Sequence, residues 1–134
     1  MNRVKSREVA VQLSYQMLMN KESAEEVIQS LIENYEEDLN ELDLEYIKRI
    51  ITGIDEKKDE LDATIEKYLV NWKFNRIPKV NISILRMAIF EMLYMNDIPE
   101  KVSINEAIEL AKIFSDEKSV SFINGILDKI LKSN

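Results

Sequence analysis

The sequence contains neither cysteine nor histidine. Without them the chain has no thiolate nucleophile, no disulfide, no imidazole base for a hydrolytic triad, and no sulfur or imidazole ligand set for zinc. It has only two glycines and two prolines, whereas hairpin turns and phosphate-cradling loops both depend on glycine at positive φ. Strands and nucleotide loops are therefore disfavoured together. Uninterrupted apolar stretches fall short of the roughly 18 residues that cross a bilayer, and no apolar segment follows the first charges as in a secretory leader. These absences predict a cytoplasmic protein with no membrane partner, no cofactor, no metal and no enzymatic activity of its own.

What is present is a chain of 134 residues, 46% hydrophobic and 32% charged, the size of one ordinary domain with its own core. One domain over residues 1–134 is expected. The formal charge of −7 argues against a nucleic-acid partner, because phosphate attraction leaves a basic footprint on the protein. The distribution of charge softens that objection. Residues 1–21 hold Arg3, Lys5, Arg7 and Lys21 against Glu8 alone. The acids are concentrated between residues 22 and 66, and mostly read as solvated helix faces. From residue 67 onward bases slightly outnumber acids, so a small basic surface can exist on the first or last third.

Apolar residues recur at helical spacing, with breakers between the segments and no tandem repeat or flexible linker. The pattern predicts an all-α compact bundle of six to seven helices. The first, about 3–19, places Val9, Ala10, Leu13 and Met17 on one face and Val4, Val11, Tyr15 and Leu18 on another, which implies a central helix. Its basic start is unexplained by local helix physics, since Arg3 and Arg7 are i,i+4 neighbours that repel one another and oppose the helix dipole. Ser23 with Glu26 forms a capping box for a second helix to about Tyr35. The stretch from Glu36 to Glu41 reads as a connection.

From Leu44 to about Leu69 the apolar stripe keeps phase across Gly53, giving one long helix or two with a bend. Pro78 suits a helix start, and the nearly unbroken apolar run from Val80 to Met95 requires enclosure by neighbours. Beyond Pro99, Ser103 with Glu106 reads as a second capping box for a helix to about Phe114, and a last helix covers about Ser119 to Leu131. Trp72 reads as core or boundary packing. Arg86 and Glu91 are expected to find partners, because an unpaired buried charge is costly. Gly125, inside a helix, is expected to serve close packing, since glycine there costs about 1 kcal/mol relative to alanine.

Lys101 to Lys112 (Lys-Val-Ser-Ile-Asn-Glu-Ala-Ile-Glu-Leu-Ala-Lys), followed by Phe114, Ser119, Phe122, Asn124, Gly125, Leu127 and Asp128, resembles the C-terminal signature of the NusB family of transcription antitermination factors. Ile84-Leu-Arg-Met-Ala88 with Glu91, the Arg7-Glu8 pair, and Ala10, Gln12 and Tyr15 resemble its other recurring blocks. The resemblance implies two helical sub-bundles. It further implies binding of the boxA element of nascent ribosomal RNA together with NusE, a small-subunit ribosomal protein, within the RNA polymerase antitermination complex. The alternative is a homo-oligomeric helical protein-interaction module without direct RNA binding, homodimers being known in the family. A link to ribosomal RNA methyltransferases through NusB-like domains is opposed by the missing cofactor loop and catalytic cysteine.

Through this resemblance Arg3, Lys5 and Arg7 match the family's arginine-rich RNA segment, where guanidinium groups pair with phosphates or unstacked bases. A solvated, solubilising terminus is the plainer account of the same residues. Tyr15 either stacks on a base or fills core with its hydroxyl wet. Lys118 matches a position that influences RNA affinity, though a lone surface lysine says little. Phe122 falls about 40° beyond the edge of the last helix's apolar arc and matches the family's NusE anchor, with core packing as the alternative. Asn81 falls where relatives present an acidic side chain to NusE. The RNA surface implied is formed by the start of the first helix and the connection before the last.

Overall fold

The computed structural model describes residues 2–133. In them lie six α-helices: α1 (Arg3–Asn20), α2 (Ala24–Asn34), α3 (Leu44–Lys67), α4 (Lys79–Tyr94), α5 (Glu100–Phe114) and α6 (Glu117–Ser133), with single 3-10 turns at Leu39–Glu41 and Phe74–Arg76. The extended backbone among the described residues forms only an isolated bridge between Asn2 and Leu42. No helix among them is long and apolar enough to cross a membrane.

Side-chain caps start most of these helices. The Asn2 side chain accepts from the Lys5 N–H, and the Asp43 carboxylate accepts from the Tyr46 N–H. Ser23 and Glu26 close the reciprocal capping box read from the sequence. The second box does not exist. Pro99 precedes the first residue of its helix, which begins at Glu100, so Ser103 lies one turn inside α5 and is buried. Proline suits that end because its missing N–H is one the first turn leaves without a partner anyway. Asp116 caps α6, its carboxylate accepting from the Ser119 N–H at 2.8 Å, so this helix begins two residues before the expected start.

The long apolar stripe resolves into a single helix, α3, continuous through Gly53 and about 36 Å long at 1.5 Å per residue. A Cβ at Gly53 would sit 2.1 Å from Phe90 Cζ. Glycine is what lets α4 approach α3 here. Gly125 shows the opposite situation: it is exposed, and nothing lies within 4 Å of a Cβ built on it. The expectation of close packing therefore belongs to Gly53.

Helices α1, α2 and α3 pack on one another as one sub-bundle, and α4, α5 and α6 as a second. Helix α4 joins them by packing on α1 and α3 as well, and its residues from Asn81 to Met92 are all buried. A continuous core of mainly isoleucine and leucine runs through both sub-bundles. Arg86 of α4 donates through Nε and Nη2 to the two carboxylate oxygens of Asp62 on α3, at 2.8 and 2.7 Å. The second apolar face of α1 is only partly covered. Val11 is buried, but Val4 and Tyr15 stand in solvent.

Candidate functional site

Helix periodicity puts Arg3 and Arg7 on one face of α1, four residues apart. Both guanidinium groups lie over the ring of Tyr46, at 4.4 Å and 5.5 Å from its centroid. There they part. Arg7 is only 4% exposed and grips Glu91 of α4 with both arms, Nε donating to Oε2 at 3.0 Å and Nη2 to Oε1 at 3.2 Å. The Tyr46 hydroxyl also donates to Glu91 Oε2, and Ser103 Oγ donates to Oε1 at 2.7 Å. Four donors thus fill the acceptor capacity of a carboxylate that has no access to water. Burial and the adjoining negative charge of Glu91 push the Tyr46 phenol far above its ordinary value, so it remains a donor.

This cluster ties α1, α3, α4 and α5 together. Arg7 is consequently not a surface cation, and its expected contact with phosphate is corrected to a structural ion pair: releasing it would strand Glu91 in the interior.

Arg3 and Lys5 do reach solvent, yet both face acids of the segment between α2 and α3. Arg3 Nη2 lies 2.8 Å from Asp43 Oδ2, and Lys5 Nζ 3.3 Å from Glu37. Burial of Asp43 favours its neutral form, but the hydrogen bonds from Arg3 and the Tyr46 N–H outweigh it and hold its carboxyl below the usual range. The Lys5–Glu37 pair is exposed on both sides and worth little, whereas in the Arg3–Asp43 pair the guanidinium reaches solvent and the carboxylate is mostly covered. Tyr15 is on the open face of the same helix, eight residues beyond Arg7 and about 12 Å along the axis.

At the other end of α4 a different surface forms. Phe122 of α6 is half-buried, and its ring centroid lies 5.9 Å from that of Trp72. The two rings, with Ile77, Pro78 and Lys118, line an apolar recess of about 200 Å³. Trp72 is 57% exposed with its ring against Phe122, so of the expected core or boundary packing the core placement is corrected. The chain turns through a left-handed Asn71, φ 62°, a conformation asparagine tolerates, immediately before the tryptophan. Lys118 stands exposed in the first turn of α6.

Asn81 lies under this recess, 1% exposed. Its amide donates to Ser119 Oγ at 2.8 Å and its carbonyl accepts from Ser115 Oγ at 2.9 Å. The side chain is spent on fastening the α5–α6 connection to α4. A direct contact of Asn81 with a partner is therefore corrected to an internal bracing role.

The match to known proteins agrees with this architecture. The model of the NusB family covers residues 4–132. The chain belongs to the NusB family. The transcription antitermination protein NusB of Clostridium perfringens strain SM101 is 57% identical over 99% of this chain and 98% of its own length, and that of Clostridium botulinum strain Alaska E43 is 54% identical over 98% and 99%. Among solved structures, NusB of T. maritima superposes with a TM-score of 0.83 at 36% identity, covering 98% of this chain and 92% of that one. A chain from a complex of the antitermination factors NusB and NusE with dsRNA shares the fold, with a TM-score of 0.86 at 24% identity over 98% and 96%. The NusB family is one of transcription antitermination factors and not of enzymes.

Set within the NusB fold, the site residues singled out by sequence, Tyr15 apart, fall into two groups. Arg3, Lys5 and Arg7 cluster at the C-terminal end of α4; Lys118, Phe122 and Asn81 cluster at its N-terminal end. Ten residues of α4 separate Asn81 from Glu91, about 15 Å, so the start of α1 and the α5–α6 connection do not form one contiguous patch. Sequence reasoning missed Tyr46 and Asp43 as partners of the N-terminal arginines, and Ser103 as a donor to Glu91, because contacts between elements far apart in the chain leave no local spacing to read. It also missed Trp72 as an exposed ring. A signal for it existed: Asn71, Lys73, Asn75 and Arg76 surround the tryptophan with polar residues.

Proposed function

We propose that the chain is an RNA-binding adaptor that holds boxA-type RNA of nascent ribosomal transcripts together with NusE, as part of the RNA polymerase antitermination complex in the cytoplasm. The observation that carries this reading is membership of the NusB family across residues 4–132. A chain of the same fold in a complex of NusB and NusE with dsRNA supports both partners. In this reading the whole chain acts as one unit. Arg3 and Lys5 meet phosphate, Tyr15 offers a ring about 15 Å further along the same helix, Lys118 adds charge at the far end, and Phe122 anchors NusE from the rim of the recess, as half-buried aromatic side chains do at interfaces.

The test is a titration of boxA RNA with the chain alone, with NusE alone and with their mixture. Tight binding by the mixture only is expected. Arg3→Gln with Lys5→Gln is expected to weaken binding and flatten its dependence on salt, because each lost phosphate contact on single-stranded RNA removes about 0.7 from the logarithmic slope. Unchanged affinity and slope would remove the N-terminal cations from the RNA surface. A stable homodimer that excludes both NusE and RNA, detected by light scattering, would favour the interaction-module alternative.

A further inference from the structure

We infer that the α3–α4 connection, residues 67–79, with Trp72 at its centre, is a second contact surface for single-stranded RNA, separate from the N-terminal cations. The inference rests on the RNA-binding function proposed above and adds to it a site, a stacking residue and a set of cations.

Three observations converge on this segment. The first is charge. Lys73, Arg76 and Lys79 are exposed, and none of them takes part in an ion pair among the described residues, whereas Arg3, Lys5, Arg7, Arg49 and Arg86 each have a carboxylate partner. No acid lies between Lys67 and Phe90 in the sequence; the recess beside Trp72 is lined by one carboxylate, that of Asp116, in a chain that is acidic overall. Asp116 and Glu117 are the acids nearest in sequence to Lys118 on the facing rim, and they limit its share.

The second observation is position within the helices. Lys79 opens α4 and Lys118 lies in the first turn of α6, where the helix dipole disfavours a positive charge. Folding therefore supplies no reason for cations at these places, and an anionic partner does. The third is the tryptophan itself. Phe122 covers only part of its ring, and more than half of the side chain faces solvent within a basic loop. Aromatic rings set among unpaired cations form the usual platform for unstacked bases. An apolar protein segment that filled the recess would bury the rings but leave Lys73, Arg76 and Lys79 without anionic partners, whereas RNA supplies both bases for the ring and phosphates for the cations.

Trp72 is the only tryptophan of the chain, so its emission reports on this site directly. The experiment titrates the protein, alone and in its mixture with NusE, with a single-stranded boxA oligonucleotide at low salt, following Trp72 fluorescence and, separately, anisotropy of a label on the RNA. Stacking is expected to quench Trp72 with the same midpoint as the anisotropy change. Trp72→Ala is expected to weaken binding about ten-fold, with Trp72→Phe close to wild type because the platform is kept. Lys73→Gln, Arg76→Gln and Lys79→Gln together are expected to lower the salt slope by about 2. The four substituted positions are exposed, in the α3–α4 connection or, for Lys79, at the first residue of α4, and circular dichroism checks that each variant folds.

Anisotropy that rises with no change in Trp72 emission and no effect of the triple variant would overturn the second site while leaving RNA binding intact. Absence of RNA binding both by the protein alone and by its mixture with NusE would overturn the site and the proposed function together. A Trp72 response to NusE alone, with RNA affinity indifferent to the three cations, would assign the surface to the protein partner instead.

Discussion

Replacing Arg7 with glutamine separates a structural arginine from an RNA-binding one. In the folded protein its guanidinium supplies two of the four hydrogen bonds that Glu91 accepts, and both side chains are almost wholly removed from solvent. The variant leaves the carboxylate buried with only the Tyr46 and Ser103 hydroxyls as donors. Breaking a buried pair in this way costs about 3–5 kcal/mol, a large part of the roughly 5–15 kcal/mol that stabilises a domain. At about 3–5 °C per kcal/mol for a chain of this size, Tm is expected to fall by about 10–20 °C. Urea unfolding followed by circular dichroism gives the loss directly.

Adding Glu91→Gln to Arg7→Gln removes the stranded charge, so the double variant is expected to recover about 1–3 kcal/mol relative to the sum of the single changes. RNA affinity, measured below the unfolding transition, is expected to stay near wild type. A stability loss under about 1 kcal/mol, accompanied by a lower salt slope for RNA binding, would refute the assignment and return Arg7 to the RNA surface.

The two glycines are expected to respond in opposite directions. Gly125→Ala meets open space and is expected to raise stability by about 1 kcal/mol through helix propensity; Gly53→Ala drives a methyl into the Phe90 ring and is expected to lower it by roughly 1 kcal/mol after the same propensity gain is subtracted. Both are read from denaturant midpoints. Ser103→Ala takes one donor from the buried Glu91 carboxylate and is expected to cost about 1–3 kcal/mol, with no effect on RNA affinity. Asp116 is held below its ordinary value by the N–H of Ser119, so its stabilisation of α6 is complete above pH 3.8 and is lost as pH falls through the lowered folded value. Asp116→Asn keeps a capping oxygen without a titrating charge, so the stability difference between wild type and variant is expected to shrink on acidification below 3.8, and an unchanged difference would rule out the cap as its source.

Composition and a periodicity of 3.6 are local properties, so the class of the fold, the order of its helices and the absence of thiol and imidazole chemistry are legible from the residues alone. Ser23 with Glu26 was legible as a cap since both partners lie within one turn. Ser103 with Glu106 carries the same spacing and misleads, because Pro99 starts the helix earlier and Glu91, twelve residues away, claims the serine hydroxyl. Signature blocks at both ends of the chain were enough to point to the family.

Which charged and aromatic residues are available depends instead on how the helices pack. Arg3 and Arg7 are indistinguishable on a helical wheel, yet one reaches water and the other is enclosed, since Tyr46, Glu91 and Ser103 arrive from three other helices. Gly53 and Gly125 likewise look alike in sequence, and what separates them is whether a second helix stands against the missing Cβ. The same holds for Trp72: its hydrophobicity suggests core, but the left-handed turn at Asn71 and the position of α6 leave its ring beside unpaired cations. Burial is a property of what packs against a residue from elsewhere in the chain, which is why the bundle could be read from spacing and its working surface could not.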